Sequence, residues 1–141
     1  MGDFCLKSGD PDAAKEYYEK SLEIALSIAQ EDKSIEARRD LSISYNKMGD
    51  FCLDSGDPDA AKEYYEKSLE IRLAIAQESN SIEAYDDLAV SYYKLGTLDN
   101  ESLDVEALIK AYAIWSKLSE QCPGIPAYAE RRDIVKEVLL Q

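Results

Sequence analysis

No histidine occurs among the 141 residues, so the commonest general base near neutral pH and a favoured metal ligand are both missing. A Ser/His or Cys/His nucleophile pair is therefore excluded. Cys5, Cys52 and Cys122 lie 47 and 70 residues apart. That spacing fits no zinc motif, and an odd count makes no disulfide framework. Free thiols in a reducing compartment are the expectation. The 29 acidic side chains could in principle supply paired carboxylates or a calcium loop. However, the run from Asp50 to Asp59 lacks alternating oxygen ligands around a glycine. Lys-Ser-Gly-Asp at 7–10 lacks the flanking glycines of a phosphate loop. The sequence thus predicts no catalytic residue, no metal and no cofactor.

The net charge of −13 opposes nucleic-acid binding, which needs a basic stripe to displace counterions. It equally opposes a polybasic membrane contact. The acidity is uneven: residues 2–48 carry a net −3, residues 49–95 a net −7 and the remainder −3. No apolar run approaches a membrane span and no signal-peptide pattern opens the chain, so the cytoplasm is the expected location.

What positions the side chains is an internal repeat. Residues 2–48 and 49–95 align without a gap at an offset of 47, and 36 of the 47 positions are identical. A third segment begins in phase at Gly96 and then diverges. Near its end Arg131-Arg132-Asp133-Ile134 echoes Arg38-Arg39-Asp40-Leu41. Each repeat reads as two helices. Gly56-Asp57-Pro58-Asp59 supplies a left-handed stop, a cap, a first-turn proline and an acid at the positive end of the dipole, and Gly9-Asp10-Pro11-Asp12 repeats it. Ser34 and Ser81 are the caps of the other joint. The pattern predicts helices near 11–31, 35–55, 58–78, 82–98, 103–121 and 126–140, with residues 2–8 as the tail of a further helix. Along the fourth segment Ala61, Tyr65, Ser68 and Leu69 recur at helical spacing, and Arg72 breaks the face. Glu16/Lys20 and Glu63/Lys67 are spaced as surface ion pairs.

Tyr45-x2-Met48-Gly49-x2-Cys52, Tyr92-x2-Leu95-Gly96, Ala14-x3-Tyr18 and Ala61-x3-Tyr65 carry a resemblance to the tetratricopeptide repeat family. Ala111-x3-Trp115 and Pro123 continue it after an insertion of about three residues within 97–110. The period of 47 exceeds the family's usual 34. HEAT and armadillo repeats share the longer period and stand as the other helical-repeat reading; the glycine and alanine placements favour the tetratricopeptide one. The resemblance implies an all-α fold: an α-solenoid of antiparallel helix pairs, about six helices in a right-handed superhelix. It implies one domain over 1–141, with repeats 2–48, 49–95 and 96–141, the last a divergent capping unit. Gly49 and Gly96 would sit where helices approach closely, opposite Ala14 and Ala61, with Tyr18, Tyr45, Tyr65 and Tyr92 around them. Trp115 is read as a core aromatic.

The implied function is a non-enzymatic scaffold for protein–protein interaction, with first helices lining a concave groove. Groove positions are Ile43, Asn46, Asp50, Leu53 and Asp54 in the second repeat and Val90, Tyr93 and Thr97 in the third, with Asp3, Leu6 and Lys7 extending it. One version of the family clamps a terminal carboxylate with lysine, arginine and asparagine. Here Asn46 is followed by Asp50, Tyr93 and Thr97, so that specificity does not carry over. A partner with basic and apolar side chains fits instead. Two alternatives stay open: a structural or self-associating array, and a non-catalytic fragment of a larger multidomain regulator. Helix 11–31 lacks part of its neighbour. Its face, read as Tyr17, Tyr18, Leu22, Ala25 and Ala29, marks a chain boundary or a self-association site.

Overall fold

The helix starts are set by local chemistry. Ser34 accepts the Ala37 amide at 3.2 Å and Ser81 accepts that of Ala84 at 3.1 Å. Asp57 accepts from Ala60 at 3.1 Å, one residue after Gly56 turns the chain at φ +83°. Asp104 accepts from Ala107 at 3.2 Å. Each cap satisfies an amide that the first turn of a helix leaves without a partner. Asn80 takes the left-handed conformation at φ 51°, which asparagine tolerates better than most residues.

The computed structural model describes residues 11–141. The expectations for residues 2–8, including Asp3, Cys5, Leu6 and Lys7, lie outside them. Six helices follow in order: α1 (Pro11–Glu31), α2 (Ile35–Asp54), α3 (Pro58–Ser79), α4 (Ile82–Gly96), α5 (Val105–Gln121) and α6 (Pro126–Leu139). No strand occurs among the described residues. The fold is all-α, as the sequence predicts. The last turn expected at 97–98 is instead closed at Thr97, whose amide bonds the Tyr93 carbonyl. The chain then bridges to Asp104 before α5 begins. The structure divides into two units, Met1–Ile71 and Arg72–Gln141.

In the first unit α1 and α2 close on Ala14, Tyr18, Met48 and Phe51, with Leu22 and Tyr64 against them. The start of α1 meets the end of α2, so the pair is antiparallel. Tyr18 and Phe51 pack with ring centroids 5.9 Å apart, within the range of favourable aromatic pairs. Helix α2 also meets α3 closely at one point. Gly49 lies so near Tyr65 that a Cβ there would stand 2.5 Å from the ring. The Ser68 hydroxyl donates to the Ser42 carbonyl at 3.0 Å. Lys67 lies over the rings of Tyr45 and Tyr64, at 5.7 and 5.9 Å, in a cation–π arrangement. Glu16 and Lys20 pair at 2.8 Å on the solvent face of α1.

In the second unit the core is Ala89, Leu108, Ala111, Trp115, Leu118 and Val135, from α4, α5 and α6. Gly96 meets Leu108, where a Cβ would be 2.6 Å from Cδ2. Arg72, which the periodicity reads as a break in a face of apolar and small residues, is buried. Its guanidinium donates to the Asp87 carbonyl at 3.0 Å and the Ser91 hydroxyl at 3.3 Å. A buried charge is tolerable when its donors are met in this way.

One expectation is corrected. Tyr18 and Ala29 do not belong to the open face of α1; both are buried. The exposed apolar residues of that helix are Tyr17, Ile24 and Ile28. Apolar side chains run around more than one face of α1, and α2 takes the face that holds Tyr18.

Candidate interaction surfaces

The residues singled out on α2 fall into three environments. Asn46 is buried, and its Oδ1 has no hydrogen-bond partner among the described residues. Ile43 and Asp50 are half-buried, and Asp50 accepts a hydrogen bond from the Tyr65 hydroxyl. Leu53 and Asp54 are exposed on the last turn. On α4, in the other unit, Val90 and Tyr93 are half-buried against the core, and the Tyr93 ring stands 6.1 Å from that of Trp115. The Thr97 hydroxyl donates to the Tyr93 carbonyl at 2.8 Å and helps end the helix. Of the α2 residues, Leu53 and Asp54 are free to meet a partner without rearrangement.

Electrostatics around Tyr65 are strongly biased. Burial, the hydrogen bond to Asp50 and the negative charges of Asp50 and Asp54 all hold its phenol far above the usual tyrosine range. Burial similarly raises Tyr45 and is the largest cause raising Tyr64. Burial and Asp57 raise the Cys52 thiol, with Lys15 opposing, so Cys52 is less readily a thiolate than an ordinary cysteine. A consequence for Tyr65 is testable. Its folded pKa lies above the unfolded value of about 10. Its contribution to stability is therefore whole below about pH 10 and is lost as the pH rises beyond that, by up to about 1.4 kcal/mol per pH unit. Urea denaturation at pH 8 and at pH 11 (about one unit above the unfolded value) should show a larger alkaline loss for the parent than for Tyr65→Phe. Equal losses would refute the assignment.

Two features escape the sequence reading. An open hollow of about 390 Å³ lies between the start of α4 and the end of α5, floored by Ile82, Ile114 and Leu118 and edged by Asn80, Lys117 and Gln121. Asp86 forms the other. Its Oδ1 accepts Trp115 Nε1–H at 2.9 Å and the Arg131 guanidinium at 2.6 Å, tying α4, α5 and α6 together. In the preceding repeat the same position is Arg39, so the change of sign between copies is the signal that could have exposed it. Among the described residues no three His, Cys, Asp or Glu side chains gather as a metal site, and no helix is long and apolar enough to cross a membrane.

Antiparallel helix pairs, closed where a glycine meets a large side chain and repeated along the chain, define a helical-repeat protein. The tetratricopeptide repeat family model matches residues 1–28 and 43–74. These two matches support a repeat protein of the tetratricopeptide type, of the α-solenoid class those repeats imply. No curated protein matches it. Among solved structures it is similar to the DHF58 filament, at 20% identity over 97% of this chain and 74% of the other, with a TM-score of 0.44. The DHF119 filament shares 21% over 96% and 72%, with a TM-score of 0.40. The de novo designed helical repeat protein DHR64 shares 22% over 96% and 72%, with a TM-score of 0.34.

Proposed function

We propose that the chain is a non-catalytic scaffold that binds a peptide or protein partner of basic and apolar character. Its repeats match a family that commonly mediates protein interaction. The observation that carries the chemistry is the end of α2, where exposed Leu53 and Asp54 follow half-buried Ile43 and Asp50. An aliphatic side chain beside carboxylates suits a ligand that alternates apolar and cationic groups. On this reading Ile43, Asn46, Asp50, Leu53 and Asp54 form the α2 contribution to the concave face, and Val90, Tyr93 and Thr97 form that of α4. Residues 1–141 act as one repeat domain whose last unit is a cap. The setting is the reducing cytoplasm, which suits the free thiols of Cys52 and Cys122. Nucleic acid and membrane are not partners.

The test is fluorescence anisotropy with short labelled peptides. Peptides alternating lysine or arginine with leucine should bind, and their acidic counterparts should not. Raising the salt from about 50 to about 500 mM should weaken binding several-fold. Leu53→Ala combined with Asp54→Lys should cost about tenfold, or about 1.4 kcal/mol. Equal binding of basic and acidic peptides would sink the proposal, as would an unaffected variant.

A second reading, self-association through the N-terminal end, is favoured by one observation: the exposed Tyr17, Ile24 and Ile28 of α1.

A further inference from the structure

The two copies of the repeat differ around the hollow that opens beside the start of α4. The joint before α2 carries Lys33 and Arg38, with Ile35 between them. At the joint before α4 the same positions hold Asn80 and Tyr85, with Ile82 between them, so an amide and a phenol stand in place of two cations. Arg38 turns its Nε back onto the Lys33 and Ser34 carbonyls, at 3.1 and 3.4 Å. Tyr85 instead packs its ring against the core of the second unit and donates its hydroxyl to Asn80 Oδ1 at 3.0 Å. This wall of the hollow is therefore apolar and aromatic. Asn80 is held by its oxygen, which leaves its NH2 group as a donor at the edge.

Helix α5 supplies the charge. Aligned on Ala61-x3-Tyr65 and Ala111-x3-Trp115, Lys117 matches Lys67 and Ala113 matches Glu63. On α1 the equivalent residues are Lys20 and Glu16, which pair at 2.8 Å. Lys110 of α5 has its own acid four residues earlier, Glu106 at 3.6 Å. Lys117 has alanine at that place and Gln121 four residues on. Although Glu120 lies three residues beyond it, Lys117 makes no ion pair among the described residues. In a chain with 29 acidic side chains, none lines this hollow.

We propose that the hollow is a binding site for a small monocarboxylate with an alkyl or aryl tail. Its volume of about 390 Å³ falls at the lower end of small-ligand sites. Its makeup is also theirs: a floor of Ile82, Ile114 and Leu118, the Tyr85 wall, and a few polar groups at the edge. Those groups can all donate, through the Lys117 ammonium and the Asn80 and Gln121 amides. The tail displaces water from the floor, and the carboxylate meets Lys117 in a charge-assisted bond. One cation in surroundings of net −13 suits a single negative charge better than a polyanion. A cavity of this volume encloses one small molecule, whereas a stable protein partner covers about 800 Å² per side. All the lining residues belong to the second unit, so the site stands apart from the α2 surface of the scaffold reading and does not depend on it.

Titration of the isotope-labelled chain with sodium octanoate, followed by amide NMR, reads the outcome. Octanoate should bind saturably, with a Kd of about 1 mM or below, and should shift the amides of Ile82, Tyr85, Ile114 and Lys117. Octylammonium has the same tail and the opposite charge, and should bind about tenfold more weakly. Lys117→Gln should weaken octanoate about fivefold and leave the binding of octanol, which uses the floor alone, unchanged. Ala113→Glu restores the acid found in the other copies; by occupying the ammonium it should weaken octanoate to a similar degree. Both positions are exposed, and circular dichroism verifies that the variants fold. Leu53→Ala combined with Asp54→Lys should bind octanoate as the parent does, which separates failure of this site from failure of the scaffold reading. The proposal is overturned if octanoate does not saturate, if its shifts map away from the hollow, or if octylammonium binds as tightly. Parent-like affinity in Lys117→Gln or Ala113→Glu overturns it as well. So does a preference of the hollow for an acidic leucine-rich peptide over octanoate, which would make it a protein-docking surface.

Discussion

Trp115→Ala is expected to be about 3–5 kcal/mol less stable than the parent, the range seen when a large aromatic is cut from a packed core. Trp115 is almost wholly buried among Ala111, Leu118 and Val135, with Tyr93 beside it. It also does more than fill space. Its Nε1–H donates to Asp86, the carboxylate that holds Arg131 of α6. Trp115→Phe separates the two contributions: it keeps most of the apolar volume and removes the donor, and should cost about 1–2 kcal/mol. Urea denaturation followed by circular dichroism measures both, because the substitution deletes the only tryptophan and its fluorescence. Asp86→Asn should resemble Trp115→Phe in direction, since it weakens the charge-assisted bond to Arg131 while keeping an acceptor. A loss below about 1 kcal/mol for Trp115→Ala would mean that α5 and α6 are not held through this residue, against the expectation for a buried aromatic.

The helices were legible because their boundaries are local events. Ser34, Ser81 and the Gly56-Asp57-Pro58 turn each act within three residues of themselves, so no tertiary knowledge is needed to place them. The end of α4 is different. Apolar residues continue through Leu98, yet the Thr97 hydroxyl and amide both turn back to Tyr93 and stop the helix. A side chain competing for a helical carbonyl leaves only a weak mark in the periodicity.

Surfaces were harder to read than elements, and the reason is that periodicity locates apolar residues without naming the neighbour each will meet. On α1, Tyr17 and Tyr18 are adjacent and chemically identical, yet one is exposed and the other buried. Arg72 reads as an interruption, but its long stem lets the guanidinium reach the Asp87 carbonyl and Ser91 on the next helix. The differences between repeats were better guides than their similarities. Of the eleven positions at which the copies differ, 39/86, 46/93 and 25/72 mark residues that bond or pack within the second unit: Asp86, Tyr93 and Arg72. Where the copies agree, as along the α1 and α3 faces, the contrast in burial comes from the neighbour alone.

Gly49→Val is expected to cost about 3 kcal/mol or more, and Gly49→Ala about 1–2 kcal/mol, the usual range for overpacking a filled site with part of the cost returned by alanine's helix propensity. A Cβ at Gly49 would lie 2.5 and 2.6 Å from two carbons of the Tyr65 ring, and Tyr65 is itself almost fully buried with its hydroxyl fixed on Asp50. The ring cannot pivot without giving up that bond or displacing α2 from α3. Gly96 provides the control. Its added Cβ would meet Cγ and Cδ2 of Leu108 at 2.6 Å, but a leucine end can change rotamer where an anchored phenol cannot. Gly96→Ala should therefore be the milder change, by about 1 kcal/mol. Combining Gly49→Ala with Tyr65→Leu should recover part of the loss, because shortening the side chain removes the clash that the alanine introduces. Chemical denaturation of these four variants and of Tyr65→Leu alone decides the matter. If Gly49→Ala proved neutral, or if the double variant were merely additive, the close approach of α2 to α3 would not be what the glycine is there to permit.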